Sequence, residues 1–330
     1  MTENPSRLAG EAGEYNAFLE RYSMNIGKHI HQQEKDDLIE LCINEPGGVW
    51  IETKSRGWEY IKDASLTLEE METFARQLAF AKYQQFHRDQ KPLLFCDHPN
   101  WGCRVAIAGR GLVDSGFACS MRFPSSHIFP LDSFCKKKTC SEIEDECEVE
   151  IDVEDKNLVK MIEALLRDEN IVIAGGTNSG KTSFMKALFQ KYIPLHERII
   201  VIEDTKELVL PHKNIVRMIK SKTSVDVAQI TYGQIIDVCM RMRPDRLVLG
   251  ELDDNNVRPF LALLNSGHGG SITSLHATGV DGVHAKIATL GASATTPYED
   301  VLRQARHVVR NVLYIKGHPR FGFELEFKQF

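Results

Sequence analysis

The stretch that most narrows what this chain can become is short. The apolar run Ile171-Val172-Ile173-Ala174 passes directly into Gly175-Gly176-Thr177-Asn178-Ser179-Gly180-Lys181-Thr182, and a helical pattern from Lys181 to Gln190 follows. A buried strand, a glycine-rich turn and a helix start, in that order, make Gly-x-x-x-x-Gly-Lys-Thr a complete Walker A pattern in the context its mechanism needs. Glycines let the backbone turn so that successive N–H groups point inward at phosphate oxygens, and the helix N-terminus adds its partial positive charge. Lys181 is placed to reach the β- and γ-phosphates and Thr182 to ligate Mg²⁺. The nucleotide-binding set read from this loop is Gly175, Gly176, Thr177, Asn178, Ser179, Gly180, Lys181, Thr182 and Ser183. Asn178 stands where many such loops carry a further glycine; because Asn tolerates positive φ better than most residues, the loop is expected to be intact.

Around the loop, short apolar runs alternate with helical candidates. The expected strands are Ile171 to Ala174, Ile199 to Ile202, Arg246 to Leu249, Ser271 to Ser274 and Val312 to Ile315. The expected helices are Lys156 to Arg167, Lys181 to Gln190, Gln229 to Met242 and Val257 to Asn265. Strands and helices alternating at these lengths imply an α/β fold with a mostly parallel sheet covered on both faces. The earlier half reads differently. Helices are expected over Glu34 to Leu41 and Leu66 to Phe86, and strands at Val49 to Glu52, Pro92 to Cys96, Arg104 to Ala108 and Gly116 to Met121, a smaller α+β pattern. Between the halves a basic triplet, Lys136 to Lys138, precedes a stretch in which Glu142 to Asp155 holds nine carboxylates, read as a solvated connector. The expected organisation is an amino-terminal α+β domain over 1–132, a charged linker over 133–155 and a nucleotide-binding domain over 156–330.

Composition excludes some roles. The formal net charge of −6 over 330 residues discourages bulk electrostatic binding to nucleic acid or acidic lipid. No apolar run approaches the roughly 18 residues that span a bilayer, and the opening MTENPSRLAGEAGE lacks the basic-then-apolar order of a signal peptide, so a cytoplasmic chain is expected. The eight cysteines, Cys42, Cys96, Cys103, Cys119, Cys135, Cys140, Cys147 and Cys239, include no C-x-x-C pair, so they read as reduced thiols rather than a zinc ribbon. The polar group Cys135, Cys140 and Cys147 is the place to look for metal or oxidation.

Three further elements follow the loop. In Ile199-Ile200-Val201-Ile202-Glu203-Asp204-Thr205-Lys206-Glu207 the carboxylates Glu203, Asp204 and Glu207 sit at the carboxyl end of a strand, where ligands of an open α/β sheet bind. There they would hold Mg²⁺ through water or orient an attacking water. Arg246-Leu247-Val248-Leu249-Gly250-Glu251 is an apolar strand ending in Glu, and Glu251 is the first choice for the residue that activates a nucleophilic water. Thr182, Glu203 and Glu251 are the expected magnesium set. Last, Ser266-Gly267-His268-Gly269-Gly270-Ser271-Ile272-Thr273-Ser274-Leu275-His276-Ala277 brackets a strand with two histidines that would bring imidazole to the terminal phosphate.

Taken in order, GGTNSGKT, VIEDTKEL, RMRPDRLVLGEL and SGHGGSITSLHA resemble the Walker A, Asp box, atypical Walker B and His box of the type II/IV secretion ATPase superfamily. The short amino-terminal region is most similar to that of the traffic ATPases of type IV secretion and conjugation systems. The resemblance implies a RecA-like P-loop domain, a small amino-terminal domain, binding of ATP and Mg²⁺, and a homo-hexameric ring at the cytoplasmic face of the inner membrane. Implied partners are inner-membrane secretion proteins and a protein or DNA–protein substrate, with no direct nucleic-acid binding. By the same resemblance Glu207 and His276 join Lys181 and Glu251 as catalytic residues, and His268 joins the nucleotide contacts. Arg104 and Arg122 match amino-terminal arginines that reach toward phosphates. Arg241 and Arg243 match family positions with no role read from the residues. Other jobs on the same fold are a type IV pilus or type II secretion motor, or a nucleotide-switched nucleic-acid motor. Type II secretion motors commonly carry the C-x-x-C pairs missing here. One departure is Asp253, where the family often has Arg.

Overall fold

A computed structural model of the chain describes residues 23–34, 37–124, 151–220, 227–318 and 322–330. Most of the expected linker, with Cys135, Cys140 and Cys147, lies outside the described residues. The chain divides into two compact units, residues 1–126 with 214–244, and residues 127–213 with 245–330.

The first unit is built on an antiparallel sheet of β1 (Leu38–Ile43), β2 (Gly48–Thr53), β3 (Gly57–Lys62), β4 (Leu93–Asp97), β5 (Arg104–Gly109) and β6 (Phe117–Arg122), ordered β3-β2-β1-β6-β5-β4. Helix α1 covers 23–31. Helix α2 (Leu68–Ala81) starts at Thr67, whose hydroxyl accepts the Glu70 N–H, and acidic Glu69 and Glu70 complement the positive helix end. Its apolar stripe of Met71, Phe74, Ala75 and Leu78 is buried with Leu41, Ile43, Ile107 and Phe117 from the sheet.

Glu34 to Leu41 is not helical. Leu38–Ile43 is the central strand β1, paired with β2 on one side and β6 on the other. Its apolar residues fall at spacings that fit a helix turn as well as a strand, and so short a run carries no periodicity that separates the two. What decides it is the sheet around it, in which the Glu40 carboxylate is fully buried, 3.8 Å from the Arg243 guanidinium.

The segment 214–244, expected within the nucleotide-binding domain, clusters with this first unit. Strand β9 (Ile215–Ile219) bridges Val113 at Met218, with Asp114 N–H donating to Arg217 O at 3.0 Å. Arg243 also pairs with Glu52, and the Arg241 guanidinium stands 4.9 Å from the centroid of the Phe95 ring. Both arginines left without a role by the sequence thus anchor this segment on the amino-terminal sheet.

The second unit carries β7 (Ile171–Gly175), β8 (Ile199–Glu203), β10 (Arg246–Leu249), β11 (Ile272–His276), β12 (Asn311–His318) and β13 (Gly322–Gln329), ordered β13-β12-β7-β11-β10-β8. All pairs are parallel except the β12–β13 hairpin. Every residue of β7, β8 and β10 is buried, as expected of strands covered on both faces. The helices are α3 (Lys156–Leu166), α4 (Lys181–Lys191), α6 (Val257–Asn265), α7 (Val283–Gly291) and α8 (Tyr298–Val308), while α5 (Tyr232–Arg241) belongs to the first unit. This is the RecA-like α/β architecture, with β11 inserted between the loop strand β7 and the Glu251 strand β10. Below the sheet, Arg246 is buried and donates to Glu197, Asp168 and the Leu165 carbonyl. At Gly270, with φ +72°, an added Cβ would meet that guanidinium at 2.9 Å, which accounts for the glycine ahead of β11.

No helix among the described residues is long and apolar enough to cross a membrane. Among the described residues, Cys42, Cys96, Cys103, Cys119 and Cys239 form no disulfide. Burial pushes Cys96 up to about 11 and Cys103 to about 12, so neither is a thiolate at neutral pH.

Candidate functional site

A cleft of about 630 Å³ opens at the carboxyl ends of β7, β8, β10 and β11. Its walls are Thr177 to Ser183, the segment Glu203 to Leu208, Gly250, Glu251, Ser274 and His276. The size suits a nucleotide-scale ligand, and the position is where open α/β sheets bind theirs.

The loop is formed by backbone geometry that the sequence anticipated. Asn178 has φ +61° and Gly180 φ +82°, both left-handed. An added Cβ at Gly175 would stand 2.8 Å from the Ile315 carbonyl oxygen, so the glycine lets β12 run directly beside the turn. Helix α4 begins at Gly180 with no side-chain cap, leaving its first N–H groups directed at the cleft.

Lys181 is buried, and its Nζ donates to the carbonyls of Gly175 at 3.1 Å and Gly176 at 2.9 Å. The same Nζ lies 3.3 Å from His276 Nδ1, and His276 Nε2 lies 3.2 Å from Glu251 Oε1. A lysine, an imidazole and a carboxylate from α4, β11 and the end of β10 therefore form one connected line. Burial lowers the Lys181 pKa, with the Glu251 charge opposing the shift. A less strongly held proton and a low-dielectric setting strengthen what Lys181 offers an anion.

Glu203 is buried, and its Oε1 accepts N–H bonds from Glu207 at 3.1 Å and Leu208 at 2.7 Å. That oxygen folds the 204–208 turn back over the strand end, leaving Asp204 and Glu207 exposed along the cleft wall. Ser274, not singled out from the sequence, also lines the cleft; its hydroxyl donates to Gly250 O at 2.7 Å and ties the end of β11 to the turn before Glu251. The alternation of the SITSLHA stretch was the one available sign that it faces the same way as His276.

His268 does not join this group. It precedes β11 at the amino end, half-exposed beside Ser266 Oγ at 3.1 Å, while His276 closes the carboxyl end. A parallel strand puts its two ends on opposite edges of the sheet, so the bracketing histidines cannot share one cleft. Arg104 and Arg122 belong to the first unit, where they are exposed cross-strand partners on β5 and β6. Asp253, standing where the resemblance expected Arg, holds the turn ahead of α6: its Oδ1 accepts the N–H groups of Asn255 at 2.9 Å and Asn256 at 3.1 Å, and its own N–H donates to Asn256 Oδ1 at 2.9 Å. Asn256 in turn donates to the Glu251 carbonyl at 2.9 Å, so this turn steadies the backbone of the cleft carboxylate.

The chain matches the family described as "Type II/IV secretion system protein" over residues 144–312. The type IV secretion system protein VirB11 of Bartonella quintana (strain Toulouse) is 34% identical over 262 residues, covering 73% of this chain and 72% of the relative. VirB11 of Brucella suis biovar 1 (strain 1330) is 30% identical over 303 residues, 86% and 82% of the two chains. In structure the chain is similar to the VirB11 ATPase of the Brucella suis type IV secretion system, solved with sulphate, at a TM-score of 0.78 and 26% identity, over 97% of this chain and 96% of that one.

Proposed function

This chain belongs to the type II/IV secretion system protein family, and from that membership we propose that it is the ATP-hydrolysing motor of a bacterial type IV secretion system. The observation that carries the reading is the line Lys181–His276–Glu251 at the mouth of an intact phosphate-binding loop. Its reaction is ATP plus water to ADP plus phosphate, driven by positioning and electrostatics rather than by a covalent intermediate.

In this reading the loop N–H groups from Thr177 to Thr182 and the start of α4 hold the phosphate oxygens. Lys181 turns from the carbonyls of its own loop to the terminal phosphates and stabilises the charge that develops there. Glu251 is the base, accepting the proton of the attacking water, and His276 holds that carboxylate in place and links it to the lysine. Asp204 and Glu207 flank the water's approach, and Glu203 keeps the turn that carries them closed. Hydroxyl and carboxylate oxygens with no thiolate make a donor set that fits Mg²⁺, with Thr182 and Glu251 as the residues that would hold it. Glu203 has one oxygen already committed to backbone N–H groups, which favours a structural part for it. When bound, the ion supplies neutralisation of phosphate charge.

Six copies forming a ring at the inner-membrane face, with Arg104 and Arg122 answering to phosphates, complete the proposal. The work done is transfer of a protein or DNA–protein substrate, or pilus assembly. The test is ATP turnover per subunit against protein concentration, with sedimentation on the same samples. A per-subunit rate that rises with a hexamer-sized species, and falls by about 10²–10⁴ in Glu251→Gln, supports the motor. Turnover by a species that stays monomeric overturns the ring.

A further inference from the structure

One large apolar side chain beside the phosphate loop is unexplained by hydrolysis. Phe323, on β13, is 52% exposed. An added Cβ at Gly180 would stand 3.5 Å from its Cε1 and Cζ, so the ring lies against the left-handed glycine at the start of α4. Along β13 it shares a face with Leu325 and Phe327, which are half-buried; Phe323 continues that face past the point where the protein covers it.

The register explains how it gets there. Gly175 ends β7, paired with His276 of β11 on one side and with Ile315 of β12 on the other. Strand β12 runs on for Lys316, Gly317 and His318, and Phe323 pairs with Gly317 in this overhang. The hairpin therefore projects past the sheet beside the loop, on the flank opposite His276. His276 and Glu251 mark the end of the site where a terminal phosphate is cut. A nucleoside triphosphate is a linear chain with its base at the other end, so a ligand held by the loop with its terminal phosphate at Glu251 leads its base toward the hairpin.

We propose that Phe323 is the base-contacting residue of the site, an aromatic platform on the β12–β13 hairpin on which the base of the bound nucleotide stacks. The inference rests on the nucleotide-hydrolysis reading and names a contact that reading lacks. Every base has a π-face, so the platform distinguishes nucleotides from base-less polyphosphates more than one base from another.

The test compares binding of ATP and of ribose triphosphate, which keeps the phosphates and lacks the base, to the full chain and its variants. Phe323→Ala and Phe323→Leu are expected to weaken ATP about tenfold, as loss of one base–aromatic stack does, and to leave ribose triphosphate unchanged, while Phe323→Tyr retains ATP. In Phe323→Trp, fluorescence is expected to be quenched by ATP and not by ribose triphosphate, a response that a role confined to hairpin stability would not give. Equal weakening of both probes, or of neither, overturns the stacking contact while leaving the motor reading intact. A wild-type chain that binds no ATP overturns the motor reading, and this inference with it.

Discussion

Arg246 offers the sharpest test of how the second unit is held together. Its guanidinium is 2% exposed and makes four hydrogen bonds: two to Glu197, at 2.6 and 3.2 Å, one to Asp168 at 2.7 Å and one to the Leu165 carbonyl at 3.0 Å. Arg246→Met keeps most of the stem and removes the charge. Asp168 is 70% exposed, so its share is about 0–1 kcal/mol. The Leu165 carbonyl loses a bond worth about 1 kcal/mol. Glu197 dominates, being 15% exposed, with a pKa that burial already raises against the pull of Arg246. Leaving such a carboxylate alone brings the whole to about 3–5 kcal/mol. Glu197→Gln in the same chain removes the stranded charge, so the double variant should recover about half of that cost. The sign with pH follows. A carboxylate whose folded pKa is raised stabilises the fold below its unfolded pKa and costs stability as pH rises through the folded one. The penalty of Arg246→Met should therefore shrink on acidification, and that of the double variant should not. The assay is urea unfolding followed by far-UV circular dichroism with hydrogen exchange at β10 and β11. Trp50, Trp58 and Trp101 are all in the first unit, so intrinsic fluorescence reports the other half. A penalty under about 1 kcal/mol, or a double variant no better than the single, would refute the reasoning that the stranded charge sets the cost.

Asn178→Val places a β-branched residue at φ +61° and should cost about 1–2 kcal/mol and weaken ATP binding, whereas Asn178→Gly should do neither; thermal shift with and without ATP reads both. Burial pushes His98, stacked on Trp101 at 3.8 Å, from 6.5 down to about 3, so the unfolded chain takes up a proton that the folded ring refuses. That contribution is full above about pH 6.5 and is lost toward pH 3 at up to about 1.4 kcal/mol per pH unit. His98→Asn should flatten the slope in urea midpoints measured across that range. Asp253→Ala should cost about 1 kcal/mol as a lost acceptor for two turn N–H groups, and Asp253→Arg no less. An Arg variant more stable than wild type in the same unfolding measurement would contradict that role.

Much of the site was legible before any fold was drawn. The phosphate loop is a local object: its glycines, Asn178 and the helix behind it are specified by residues adjacent in sequence, and the structure puts Asn178 and Gly180 at positive φ with α4 starting directly behind them. The buried strands at Ile171, Ile199 and Arg246 were equally plain, because a strand covered on both faces needs a continuous apolar run. Other features depend on partners far away in the chain. Leu38–Ile43 reads as either helix or strand until β2 and β6 flank it. The strand that carries Phe323 alternates apolar and charged residues from Phe323 to Lys328, but its pairing with β12 and the seating of the ring against Gly180 are set only by the folded hairpin. The segment 214–244 follows the α/β rhythm, yet Arg241 and Arg243 commit it to Phe95, Glu52 and Glu40 of the amino-terminal sheet. Likewise, His268 and His276 look equivalent on paper, and only strand direction separates them, since a parallel sheet gathers function at one edge. Sequence alone determined the chemistry that a few consecutive residues can hold. Tertiary structure decided which distant side chains meet it, because burial and pairing depend on neighbours that local spacing does not encode.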